Sequence, residues 1–402
     1  MKISNRSMNV WIDSPFDNLP QEGYRAQRYW LMAEAFAAAG HRVVYWTGDF
    51  SHASKAKRVM KISVGDDAVR LKFIPTLPYR RNVSFARVRS HRDYAAKWKS
   101  LATAATAGGE LPKPDVIVSS MPTLSAAAVA LELAEYYKAK AVVDIMDVWP
   151  DTFHRLLPKF LRPLAGVFFA PLHREAYRIY RAADLVTGVC RRYGEMVGRF
   201  GVENYHLAYH GIEVPAAVPE ARFPESGNLR LVYAGNLGRT YDLGTVLEAV
   251  RSAEGVELDI AGAGPLEEKW KETATRFGIV DNVRFHGYLG LDALSKLLSR
   301  CHLGIVPMSA ESFVGLPYKL CDYVKAGLGI ASSLEGECAE IIDRFGAGVM
   351  YRPGDAQSLV SALGRWREAM QNAHHPDFAG LLDVLDARKI YESYVRAVAT
   401  VI

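Results

Sequence analysis

Arg230-Leu231-Val232-Tyr233-Ala234-Gly235-Asn236-Leu237-Gly238-Arg239 is a short apolar run that ends in a glycine turn. Such a run, too short for a helix and closed by glycine, reads as a buried strand, and a helical pattern starts near Leu243. Strand, turn and helix in that order form half of a parallel βαβ unit. The pattern recurs downstream, with strands expected at 257–261, 283–286, 303–306, 329–332 and 349–351. Upstream it recurs at 9–13, 43–46, 115–118, 141–145 and 184–187, the first strand being followed by a helix over about 24–39 that stops at Gly40. Between Tyr209 and Asn228 the periodicity disappears and Pro215, Pro219, Pro224 and Gly227 accumulate, which marks a linker. The expected organisation is α/β: a Rossmann-like domain over 1–208, a linker over 209–228, a second such domain over 229–380, and a helix over 381–402 that packs back on the first domain. Two doubly wound sheets in series bind ligands where strand ends and helix N-termini converge, here in a central cleft.

The bulk numbers agree with two cores. The chain has 402 residues, half of them hydrophobic and 23% charged, with a net charge of +5. No apolar stretch reaches the roughly 18 residues needed to span a bilayer. The start, Met1-Lys2-Ile3-Ser4-Asn5-Arg6, lacks the apolar segment of a secretory signal, so a cytoplasmic location is expected. Cys190, Cys301, Cys321 and Cys338 show neither metal nor disulfide spacing and read as core residues.

Several loops carry chemistry. The turn 235–239 lets backbone N–H groups approach an anion, and Arg239 adds a forked cationic donor; a plain tight connection is the competing reading. Gly262-Ala263-Gly264-Pro265 and Phe285-His286-Gly287-Tyr288 repeat the theme, the second offering a flat glycine surface for a planar base. The richest segment runs from Pro307 to Gly327. It places Glu311 in a loop, Phe313, Val314 and Gly315 after it, and Lys319 and Asp322 in the helix that follows. A carboxylate can hold a ribose diol, another can orient sugar hydroxyls, and backbone N–H groups with a lysine can serve a diphosphate. Those are the polar demands of a nucleotide-diphosphate sugar.

Over about Arg230 to Asp355 the chain resembles the family-4 retaining glycosyltransferases of the GT-B fold, whose mark is a Glu followed, eight positions on, by a second Glu. Glu311 matches the first acid, which the resemblance makes the contact to the donor sugar. Lys319 stands at the second position. A subgroup that builds bacterial surface polysaccharides carries an insertion there and reads Pro-x-Lys-x-x-acid-Tyr, which Pro317, Lys319, Asp322 and Tyr323 match. The resemblance thus gives Asp322 the ribose and places Arg239 near the phosphate-binding cation. In the N-terminal half Gly23 matches the glycine loop that faces the donor phosphates. The run Asp144-Ile145-Met146-Asp147-Val148-Trp149-Pro150-Asp151 resembles the subgroup's Asp-Leu-Trp-Pro-acid run, with Met146 where many relatives carry His. Asp147 is therefore the acceptor-side candidate, a helix cap being its other reading. His210, at the family's interdomain Asn position, reads as structural.

The resemblance implies sugar transfer from a nucleotide-sugar donor to a glycan or lipid-linked acceptor. No cofactor is expected: no Asp-x-Asp motif asks for a metal, and Arg239 and Lys319 can supply the positive charge. A GT-B epimerase or phosphorylase and a non-enzymatic sugar-nucleotide-binding protein stay open beside it. Between Tyr79 and Ser100 stand Arg80, Arg81, Arg87, Arg89, Arg92, Lys97 and Lys99 against one acid, Asp93. With Tyr94, Trp98 and Leu101 on the opposite helix face, this stretch suits an anionic membrane surface or a lipid-diphosphate acceptor, a solvated charge face and a buried helix being the competing readings. A second apolar and cationic run spans 153–180. Nucleic acid is not expected, because aromatic platforms do not alternate with the cations.

Overall fold

The computed structural model describes residues 7–58, 68–223, 227–310, 312, 314–372 and 375–402. The chain divides into two units, Met1–Gly211 with Arg388–Ile402, and Ile212–Ala387. The first holds a small two-stranded ribbon, Phe50–Ser51 with Ala56–Lys57, and a seven-stranded sheet: β1 (Asn9–Asp13), β2 (Arg42–Gly48), β3 (Val69–Ile74), β4 (Val116–Met121), β5 (Lys140–Ile145), β6 (Leu185–Gly188) and β7 (Tyr205–Leu207). Their spatial order is β3-β2-β1-β4-β5-β6-β7, and every pairing is parallel. The second unit repeats the plan with β8 (Leu229–Ala234), β9 (Val256–Ala261), β10 (Val283–Gly287), β11 (Leu303–Val306), β12 (Gly329–Ser332) and β13 (Gly348–Met350). There the order is β10-β9-β8-β11-β12-β13, again all parallel.

Helices cover both faces of each sheet, so central strands are apolar on both sides: Val10, Trp11 and Ile12, or Leu231, Val232 and Tyr233, are wholly buried. This is the α/β, doubly wound arrangement expected from sequence. Two strands of the large first sheet escaped the sequence reading. β3 reads Val-Arg-Leu-Lys-Phe-Ile, alternating because it is a half-buried edge, and β7 is three residues on the opposite edge.

The C-terminal segment is two helices, Phe378–Leu385 and Ala387–Ala399. Asp386 breaks them, extended and paired in parallel with Ile212. The last helix buries Tyr391, Tyr394 and Val398 in the first unit. The division between units falls at 211/212, near the start of the proline-rich segment.

In the first unit a fully buried ion pair ties these parts together. Arg28, opening the helix Arg28–Ala38, meets Asp144 of β5 through two bonds of 2.8 and 2.7 Å, with both side chains wholly inaccessible. Arg28 also donates to the carbonyls of Ala208 and Tyr209, where the chain leaves the unit. Asp144 accepts from Tyr29 and from Thr187, and Thr187 in turn lies 3.4 Å from the Tyr394 hydroxyl on the last helix. At β1 the buried Asp13 accepts from Tyr94 (2.6 Å) and Ser119 (2.9 Å), fixing the long helix Phe85–Ala107 against β1 and β4.

In the second unit Tyr323 performs the matching task. Its hydroxyl accepts from the Ala234 N–H (2.9 Å) and donates to the Ile305 carbonyl (3.3 Å), joining the helix Tyr318–Lys325 to the ends of β8 and β11. The ring lies flat on Gly304, where an added Cβ would stand 2.1 Å from ring atom Cδ2. Gly304→Ala is therefore expected to cost about 1–3 kcal/mol through overpacking, read by denaturant unfolding. Unchanged stability would mean that the ring has room to move.

Candidate functional site

In the second unit the strand order reverses between β8 and β11, so the connections leaving these two strands diverge and open a crevice at their C-terminal ends. The three glycine turns meet beside it. The Gly235 N–H donates to Ala261, Leu237 N–H to Ala263, and Gly262 N–H to Gly287, which makes one layer of backbone. The layer requires glycine at 262, because a Cβ there would stand 1.9 Å from the Gly235 carbonyl oxygen. Gly264 packs equally closely against Asn236 and Leu237.

On the other side of the crevice, the loop after β8 is stitched to the loop after β11. Asp242 N–H donates to Pro307, Ser309 N–H donates to Thr240, and Tyr241 pairs with Met308 in a short antiparallel bridge. Asp242 then caps the helix Leu243–Ser252. Ser333 braces Met308 through its N–H (2.8 Å) and carbonyl (2.9 Å).

Into this frame the helix Tyr318–Lys325 sends Lys319. Its ammonium is buried (7% exposed) and has no hydrogen-bond partner among the described residues. It lies 3.4 Å from the Tyr241 ring centroid and 4.1 Å from that of Tyr233. A Cβ at Gly235 would come within 3.3 Å of the Lys319 nitrogen, so the lysine points directly at the first glycine turn. Burial drives the Lys319 pKa well below that of a free lysine, and the field of Asp322 opposes the shift. Asp322, half-buried, follows one turn later on the same helix. A cation held between two aromatic faces against this layer of close-packed backbone can receive an anion.

The remaining residues singled out by sequence are distributed as follows. Arg239 and Asn236 are exposed on the first glycine turn, Arg239 forming no ion pair among the described residues. Tyr288 projects into solvent beside Gly287. Val314 and Gly315 are half-buried in the loop before the helix. Glu311 and Phe313 lie outside the described residues. In the first unit Gly23 is exposed and left-handed, closing the turn Pro20–Glu22. Asp147, half-buried after β5, accepts from the Val148 N–H (2.9 Å). The cap position of the next helical turn belongs to Pro150, so the capping reading of Asp147 does not apply. His210 is buried, and burial together with Arg28 and Arg25 keeps it from protonating, as suits a structural residue.

Sequence reasoning passed over the two tyrosines that wall Lys319. Tyr233 was absorbed in a strand and Tyr241 in a turn, and only the fold brings both to one ammonium. It also passed over Gly304, whose signal was a glycine inside an otherwise apolar strand.

Known proteins agree with this architecture. The glycosyl transferase 4-like domain matches residues 26–211, and the glycosyl transferases group 1 family matches residues 228–368. The amylovoran biosynthesis glycosyltransferase AmsK of Erwinia amylovora is 24% identical over 203 residues, which span 48% of this chain and 50% of that protein. The structure of HepE from Anabaena, solved in complex with UDP, superposes with a TM-score of 0.68 at 13% identity, covering 98% of this chain and all of that one. Sucrose-phosphate synthase from Thermosynechococcus elongatus gives a TM-score of 0.73 at 14% identity over 97% and 98% of the two chains. At such identities the structural likeness carries the fold, and the two family matches, one per unit, carry the relationship. The chain belongs to the family-4 glycosyltransferases of GT-B fold.

Proposed function

We propose that the chain moves a sugar, with retention, from a nucleotide-diphosphate sugar to a glycan or lipid-linked acceptor in bacterial surface polysaccharide synthesis. The observation that carries this reading is the buried ammonium of Lys319, set without a hydrogen-bond partner among the described residues against the glycine layer at the switch point. A buried ammonium that meets no hydrogen-bond partner among the described residues costs stability, whereas a diphosphate beside it supplies an anion to bond. Asp322 takes the ribose diol, Glu311 the transferred sugar, and Arg239 joins Lys319 on the departing phosphate. Gly235, beside Lys319, and Gly287, whose Cβ direction is open, keep side chains out of the donor's path, Gly262 and Gly264 hold the turns together, and Gly23 and Asp147 serve from the first unit. Charge that develops on the leaving diphosphate is thus met by fixed cations, and the reading calls for no metal. The UDP bound by HepE and the amylovoran biosynthesis in the AmsK name support the donor and product classes; retention rests on the family-4 resemblance.

Three variants separate the roles. Asp322→Asn is expected to weaken nucleotide binding by about 10- to 100-fold, with or without the sugar. Lys319→Ala should harm nucleoside diphosphate binding more than monophosphate binding. Glu311→Gln should lower turnover more than affinity. Small and equal effects from all three, measured by calorimetry and product formation, would refute the donor site.

The depressed Lys319 pKa gives a pH dependence with a definite sign. Only the ammonium attracts phosphate, so diphosphate affinity falls as pH rises through the free-chain pKa of Lys319. Binding restores the charge, so the complex takes up a proton in that range. Titrations in buffers of different ionisation enthalpy should show this uptake, and Lys319→Met should abolish it.

A peripheral membrane contact belongs to the same proposal. Tyr94 and Trp98 of the basic helix are buried in the core, the buried-helix reading of that face, and present nothing to a bilayer. What is exposed is the start of the helix, where Phe85 (95%), Val83 and Val88 stand among Arg80, Arg81, Arg89 and Arg92. Phe160, Val167 and Phe168 add exposed apolar area in the second run. Sedimentation with phosphatidylglycerol vesicles should fall with salt and with Arg89→Glu/Arg92→Glu, since exposed charges are screened over about 10 Å at 0.1 M. Binding indifferent to both would leave these charges merely solvated.

A further inference from the structure

The first unit carries a second concentration of positive charge, at the C-terminal edge of its sheet. His52 and Lys55 follow β2, Tyr79 follows β3, and Trp149 follows β5. Arg87 and His91 come from the first turns of the helix Phe85–Ala107, on the face that Tyr94 anchors to Asp13. Lys55 Nζ lies 5.0 Å and the Arg87 guanidinium 5.9 Å from the same Tyr79 ring centroid. Arg87 is oriented by Trp149 (4.4 Å to the ring), by a bond to His91 Nε2 (3.2 Å) and by the Asn82 carbonyl (2.9 Å). Lys55 is held to the His52 carbonyl (2.6 Å) with its own backbone left-handed, at φ 56°, a strained state for a lysine. The His52 ring meets the Tyr79 hydroxyl at 2.5 Å.

Two cations that share one ring repel each other, and among the described residues neither forms an ion pair. Asp147 acts on Arg87 only through its longer-range field. Arg87 also sits in the first turn of its helix, where the macrodipole disfavours positive charge and where no acidic residue offsets it. The strain shows in the protonation equilibria. Burial and then Arg87 lower Lys55 to about 8, while burial, Lys55 and Arg87 lower His52 to about 4. A doubly charged anion beside Tyr79 would relieve all of these conflicts, and a single carboxylate only half of them.

We infer that Lys55, Tyr79 and Arg87 form a subsite for the phosphate of a phosphate-bearing acceptor, a glycosyl phosphate or diphosphate whether soluble or lipid-linked. This deepens the glycosyl-transfer reading and rests on it for the saccharide part. Arg87 presents its remaining guanidinium N–H groups to the phosphate oxygens and Lys55 a point charge, while Tyr79, its hydroxyl bonded to His52, supplies the ring against which both cations rest.

The test is calorimetry on the full chain saturated with UDP, so that the phosphate site of the second unit is occupied. Glucose 1-phosphate, prenyl-diphosphate-glucose in micelles, inorganic phosphate, glucuronate and methyl glucoside are then titrated in turn. Either phosphate-bearing saccharide should bind at least about tenfold more tightly than glucuronate or methyl glucoside. Lys55→Ala and Arg87→Ala should each remove that preference, with an unchanged thermal unfolding profile and near-ultraviolet circular dichroism as evidence of an intact first unit, and Arg87→Lys should keep part of it. The tighter of the two saccharides tells a soluble from a lipid-linked acceptor. Equal binding of the neutral, carboxylate and phosphate ligands, or a preference unmoved in the folded variants, overturns the inference. A chain that prefers phosphate but binds no UDP keeps this subsite and refutes the donor reading instead.

Discussion

The phenol of Tyr323 is the constraint on which the donor side depends. It bonds at once to the end of β8 and to β11, the two strands between which the sheet reverses, and it can do so because Gly304 leaves its ring a flat bed. Through it the helix Tyr318–Lys325 has one permitted height over the sheet. Lys319, one turn earlier on that helix, consequently meets Tyr233, Tyr241 and Gly235 together. The position of a charged group is here decided by a neutral hydrogen bond some residues away. Such placement by rigid elements is what a phosphate site requires, since a misplaced cation loses most of its directional advantage.

The first unit is organised around charge instead. Arg28 and Asp144 are fully buried, and their burial is tolerable because every direction is answered: two mutual bonds, two backbone carbonyls for the arginine, and Tyr29 and Thr187 for the carboxylate. Replacing both by apolar residues need not cost stability, whereas removing one leaves an uncompensated buried charge worth about 3–5 kcal/mol. What the pair contributes beyond energy is connectivity, for it gathers the first helix, β5, β6, the departing chain at 208–209 and, through Thr187, the last helix.

The parallel α/β plan was legible because buried strands between helices need apolar runs, as Leu231-Val232-Tyr233-Ala234 of β8 and Leu303-Gly304-Ile305-Val306 of β11 show. Legibility failed at the sheet edges: β3 alternates, and β7 has too few residues to show a period. It failed at Asp386 as well, because nothing local distinguishes a helix break from a helical aspartate when the cause is a partner at Ile212. In the donor region the glycines and Lys319 could be named from sequence, since turns and cations have local signatures. The tyrosine walls, the Tyr323 bond and the shared ring of Lys55 and Arg87 could not. Each depends on contacts between separate segments, up to 89 residues apart for Tyr323 and Ala234, and a chain read linearly holds no record of it.

Lys319 has one consequence that concerns the history of the chain more than its chemistry. As a folding element it is a poor choice: a methionine of similar length would fill the space between Tyr233 and Tyr241 without a desolvated charge. Selection for stability alone would remove the lysine, and only selection for a ligand would keep it. The position therefore works as a gauge of use. In a descendant that retained this fold but gave up its ligand, Lys319 should be among the first residues of the crevice to drift toward an apolar side chain, well before Gly262 or Gly304, which the fold itself defends.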